Sequence, residues 1–169
     1  MSEAGKKTSG RVWDPLVRLF HWTLVAAFAT AWFIRSEAAI HETAGKTVLV
    51  LVILRAAWGL VGPGSARFET FIKGPVTTLR YVISILRGKP AHYPGHNPAG
   101  AAMIGALLLS LTATTVSGVL MTTTAFWGST WIEWVHGTAA TLTVFLIAGH
   151  LLGVIAACFQ HRENLPWSM

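Results

Sequence analysis

The chain is poor in charge and nearly without sulfur chemistry. Only 12% of its 169 residues are charged, and seven acidic residues face thirteen basic ones. Soluble domains carry about 25% charged residues, so half that share points to lipid as the main solvent. A single cysteine, Cys158, excludes an internal disulfide framework. It reads as a small residue packed near the end of the last helix.

The charge that exists is kept out of long stretches. Leu19–Ile34, Pro90–Ile132 and Gly137–Phe159 contain no Asp, Glu, Lys or Arg, and Thr47–Val61 contains only Arg55. Hydrophobic residues make up 53% of the chain and the mean hydropathy is +0.53. With their flanks these stretches approach the ~20 positions that a spanning helix needs. The expected fold is all-α: an integral membrane four-helix bundle forming a single domain over residues 1–169. Its spans are expected at about 15–35, 41–61, 98–124 and 136–159, with a loop over 65–97. Ser2–Gly10 is polar and no small-residue cleavage site follows the first apolar run, so that span is expected to stay in the mature protein.

A surplus of bases often signals nucleic acid, but their placement argues against that here. Lys6, Lys7, Arg11 and Arg18 precede the first span. Arg67, Lys73, Arg80, Arg87 and Lys89 lie between the second and third, and Arg162 follows the fourth. The other side has Arg35 and Lys46 beside Glu37, Glu42 and Glu133. Under the positive-inside rule both termini and the 65–97 loop are cytoplasmic. The surplus is a topology signal that also favours contact with anionic lipid, and no nucleic-acid partner is expected.

Local signals fill in the elements. Asp14 followed by Pro15 suits the start of the first helix. Gly62-Pro63-Gly64 stops the second. Val76, Leu79, Val82, Ile83 and Leu86 repeat at helical spacing beside Arg80 and Arg87, as in a helix lying on the inner leaflet or packed against the bundle. Gly100, Gly105, Ser110 and Gly118 permit close helix approach in the third span. Trp127, Trp131 and Trp134 in the loop Ala125–Val135 read as an interfacial belt.

Histidines carry the chemistry. His136 and His150 are fourteen residues apart, which on a helix leaves them within about 40° of one face and about 21 Å apart along the axis. Ionisable groups at membrane depth are costly and usually mark a function. The topology puts His41 level with His136 near the outer side, and His21 level with His150 near the inner side. Two imidazoles without a nearby thiolate or carboxylate do not complete a tetrahedral zinc site. They suit a planar macrocycle that brings four nitrogens and leaves two axial positions, as haem does. With one cysteine, thioether attachment is excluded and the haem is b-type. The spacing therefore reads as two haems b, with Gly45, Gly137, Gly149 and Gly153 giving room beside the ligands. The blander alternative is that the histidines bond helix backbones or line a water-filled path.

Arg55, fourteen residues after His41 on the same helix face, either reaches lipid phosphate or pairs with a haem propionate. Arg35 and Lys46 are weaker candidates near the outer haem. His92 and His96 sit among turn formers in Ala91–Pro98 and are not expected to be axial ligands; an interfacial role or a part in quinone or proton handling fits them better. His161 reads as a solvated tail residue.

The run Arg11-Val12-Trp13-Asp14-Pro15-Leu16-Val17-Arg18-Leu19-Phe20-His21-Trp22, then His41-Glu42-x-x-Gly45, Gly95-His96-Asn97-Pro98, and His136 with His150 resemble the bacterial cytochrome b561 family. That family includes the b-type cytochrome subunits of nickel–iron hydrogenases, and the resemblance covers almost the whole chain. It implies a four-helix diheme protein of the bacterial inner membrane that exchanges electrons with quinone, with His21, His41, His136 and His150 as axial ligands. The reading is a diheme b-type cytochrome moving electrons between the quinone pool and a periplasmic redox partner, such as a c-type cytochrome or hydrogenase. The alternatives are a stand-alone quinone oxidoreductase, for instance from superoxide to quinone, and a histidine-containing transporter. The partner surface also leaves room for a homo-oligomer.

Overall fold

Hydrocarbon cannot satisfy a backbone N–H or C=O, so apolar runs of this length close their hydrogen bonds internally as helices. The computed structural model describes residues 15–62, 67–71, 74–87 and 97–161. Its elements are α1 (Pro15–Phe33), α2 (Ala38–Val61), a single turn α3 (Phe68–Phe71), α4 (Pro75–Leu86), α5 (Pro98–Met121) and α6 (Thr130–His161). Four stretches are long and apolar enough to cross a membrane: Leu16–Phe33, Ala38–Val61, Pro98–Met121 and Thr130–Cys158. At 1.5 Å per residue α1 is about 28 Å long and α2 and α5 about 36 Å, against a hydrocarbon thickness of ~30 Å.

Helix starts follow local chemistry. The Asn97 side chain accepts the Gly100 N–H at 2.7 Å and Pro98 occupies the first turn, so α5 begins with a capped end. The start of α6 differs from expectation by six residues, because the charge-free run was counted only after Glu133. Glu133 sits in the first turn of α6, where a carboxylate complements the positive helix end. Gly128, at φ +72°, turns the chain into that start, a conformation that L side chains rarely adopt. Trp131 and Trp134 consequently stand on the first turns of α6 rather than in a loop. Likewise α2 starts at Ala38, three residues early. The α5 helix ends at Met121, before Thr124, because the Thr122 and Thr123 amides bond three residues back, to Val119 and Leu120, and tighten the turn. Asp14 lies outside the described residues.

The helices pack in the order α1 on α2, α2 on α5 and α5 on α6, the last contact being the most extensive, while α4 leans on α5. No comparable contact joins α1 to α6 among the described residues. The buried centre is small: Val48, Val52 and Leu111, with Leu24, Ala27, Phe28 and Leu108 around it. Large apolar side chains such as Leu19, Leu109 and Phe145 point outward, as expected where the surroundings are as apolar as the core.

Between α5 and α6 runs a seam of hydroxyls. Ser110 Oγ lies 2.7 Å from Thr143 Oγ1, and the two reach the Ala139 carbonyl at 3.2 and 2.9 Å. Thr114 Oγ1 is 3.4 Å from the same Thr143, which is fully buried. In α4, Tyr81 is buried while Val76 and Leu79 are exposed. The helix thus packs on the bundle through Tyr81 and also offers an exposed apolar face.

Candidate functional site

His41 on α2 and His136 on α6 face each other with ring centres 6.2 Å apart and planes at 78°. Each ring is fixed by one hydrogen bond to a neighbouring helix. His41 Nδ1 donates to the Ala31 carbonyl of α1 at 2.8 Å, and His136 Nδ1 donates to the Thr114 carbonyl of α5 at 2.8 Å. A carbonyl oxygen only accepts, so in both rings Nδ1 carries a proton, and in the neutral imidazole Nε2 then keeps its lone pair. This is the arrangement by which proteins orient metal-binding imidazoles and raise their basicity.

Two further groups crowd His136. Ser117 Oγ, which donates to the Ala113 carbonyl at 2.6 Å, lies 3.4 Å from His136 Nδ1. A Cβ on Gly118 would stand 3.1 Å from His136 Cε1, so the bare backbone there lets the ring lie against α5. On the other side there is space. Nothing comes within 4 Å of where a Cβ would be on Gly45 or Gly137, which follow His41 and His136 in sequence.

At the opposite end of the bundle, His21 on α1 and His150 on α6 are within electrostatic reach of each other. His21 meets Trp22 edge-on at 5.4 Å. Among the described residues the buried side-chain nitrogens without a hydrogen-bond partner are His21 Nδ1 and Trp58 Nε1. Both belong to this end, since α1 and α2 are joined by the short segment 34–37 and run antiparallel. Arg55 is also here. It is 9% exposed and its guanidinium stands 5.0 Å from the centre of the Phe68 ring, so it is folded into the protein rather than extended to lipid phosphate. Two orphaned nitrogens and a buried cation fit a bound group that carries acceptors and negative charge.

The other sequence candidates lie apart from these pairs. Arg35 stacks on Trp32 at 4.6 Å, and Lys46 pairs with Glu42 at 2.6 Å on the surface. His92 and His96 fall outside the described residues, as does the side chain of His161. Reasoning from sequence missed Ala31, Thr114 and Ser117 and gave Gly118 only a helix-contact role. Ser110, Thr114 and Ser117 do form a legible polar stripe on an apolar helix, at spacings of four and three.

Among the described residues no group of three or more His, Cys, Asp or Glu could hold a metal ion alone. Two opposed imidazoles need a partner that supplies the equatorial donors. Imidazoles bound from opposite sides to one ion, each by a bond of about 2 Å, have ring centres about 6 Å apart. The donor set and the 6.2 Å spacing therefore fit a planar macrocycle.

Apolar spanning helices with opposed imidazoles between them are the features of a membrane haem protein of the helical-bundle class. The chain belongs to the prokaryotic cytochrome b561 family, whose model matches residues 12–169. No curated protein and no solved structure gives a significant match. The protein is a multi-pass membrane cytochrome of b type that binds haem and acts in electron transfer.

Proposed function

We propose that this cytochrome carries two b-type haems, one above the other, and passes electrons between a periplasmic redox partner and the quinone pool. His41 and His136 would hold the outer haem, and His21 and His150 the inner one, with Arg55 pairing with a propionate of the inner group. The observation that carries the reading is the opposed His41–His136 pair, each ring tethered by Nδ1 to a backbone carbonyl. The orphaned His21 nitrogen and the nearness of His150 support the second site.

A b-type haem supplies a reversible one-electron couple when bound. The rest falls to the protein. The tethers hold both rings by Nδ1 and leave Nε2 unengaged for a metal, which would lower the reorganisation that binding demands. The apolar helices keep water away from the sites, and the buried Arg55 charge offsets a carboxylate there. About 21 Å along α6 separates His136 from His150, so the two sites lie towards opposite faces of the membrane.

The distribution of basic residues supports a topology with both termini and the 65–97 loop cytoplasmic, and the family supports a bacterial inner membrane. The face near His41 and His136 is then periplasmic, bordered by exposed Trp127, Trp131 and Trp134, and offers a largely uncharged surface for a c-type cytochrome, a hydrogenase or quinone. A pyridine haemochrome assay tests the reading: two b-type haems per polypeptide are expected. One or none, or a covalent c-type spectrum, overturns it.

A further inference from the structure

The segment from Val61 to Pro98 holds five cations, Arg67, Lys73, Arg80, Arg87 and Lys89, against one acid, Glu69. That acid is already engaged, by Arg67 at 3.2 Å. No acidic side chain of this segment is left for Arg80 or Arg87. On α4 these two are seven residues apart, so they project within about 20° of each other, with Ser84 between them. Arg80, Ile83, Ser84 and Arg87 line one groove. Beside it Val76 and Leu79 are exposed at 62% and 61%, although Tyr81 anchors the helix against the bundle.

From this juxtaposition we propose that α4 carries a binding site for an anionic phospholipid. Arg80 and Arg87 receive the headgroup phosphate, and Val76, Leu79 and Ile83 lie along the acyl chains. Charge complementarity selects the occupant. A zwitterionic lipid offers the arginines a phosphate but also a cation, and an uncharged chain offers no acceptor. A free phosphate leaves the apolar residues beside the groove uncovered. Guanidinium groups bind phosphate oxygens through paired N–H donors, which makes an arginine pair on one helix face more selective than diffuse attraction of the loop to the membrane. The site rests on the membrane placement of the chain and is independent of the number of haems.

The test uses the full-length holoprotein in a neutral detergent and native mass spectrometry, with phosphatidylglycerol and phosphatidylcholine of matched chains as probes. Phosphatidylglycerol should be retained at least about tenfold better than phosphatidylcholine. The Arg80→Gln/Arg87→Gln variant should bind phosphatidylglycerol about thirtyfold more weakly than the parent, with its haem spectrum unchanged. Glycerol phosphate should compete poorly with the lipid on the parent protein, a measurement that needs no variant. Equal retention of the two lipids, or full binding by the variant, overturns the site. Equal competition by glycerol phosphate reduces it to a free-anion site. Loss of haem in the variant reassigns the arginines to the cofactor and also overturns it.

Discussion

Each imidazole of the His41–His136 pair is held by a helix other than its own: His41 by α1 through Ala31, His136 by α5 through Thr114. A substitution therefore reaches the site without touching a ligand. In Gly118→Ala the new methyl lies 3.1 Å from His136 Cε1, and the ring must give by a few tenths of an ångström or lose its carbonyl bond. The expected outcome is a shifted or missing outer-haem signal in low-temperature spectra and electron paramagnetic resonance, with the inner signal unchanged. Identical spectra would remove Gly118 from the site. The ligand substitutions make a sharper comparison. His41→Ala and His136→Ala should abolish one and the same haem, and His21→Ala and His150→Ala the other. Loss of a common haem from His21 and His136 variants would contradict the pairing.

Among the elements, the α5–α6 contact combines breadth with polarity, and its hydroxyl seam is fully enclosed around Thr143. Thr143→Val keeps the shape and removes the hydroxyl. Ser110 still reaches the Ala139 carbonyl, so the cost should be modest, about 0.6–1.7 kcal/mol. Unfolding of the variant and the parent in detergent measures it; no change would mean that the seam orders side chains without stabilising the bundle. The spanning helices were legible because lipid demands uncharged runs, and the four histidines stood out because such groups are rare within those runs. What stayed hidden has a common physical cause. Ala31 and Thr114 act through backbone carbonyls, which every residue possesses, so no side-chain pattern announces them. The early start of α6 was hidden by Glu133, a charge that looks like a boundary yet serves as part of the first turn. Arg55 on α2 was visible as a cation, but its position over Phe68 depends on where α3 falls.

Among the described residues the extensive helix contacts run α1 to α2 to α5 to α6, with none of comparable extent between α1 and α6. Both ends of this series, α1 and α6, have one extensive partner among the described residues, but none of the α1 spanning stretch is buried and its contact is the smaller. Segments with few buried contacts open at the lowest free energy. Hydrogen exchange in nanodiscs should therefore release α1 amides before those of α5 and α6; simultaneous exchange would show that the bundle opens as one unit. The same gap lies between the helices that bear His21 and His150. A sparse contact there would make the space between α1 and α6 the side from which a flat macrocycle within the bilayer could be admitted. A reversible crosslink between α1 and α6 in the apoprotein should slow haem uptake, and cutting it should restore the rate. Loading that ignores the crosslink would mean that the cofactor reaches its place before the helices gather, during synthesis itself.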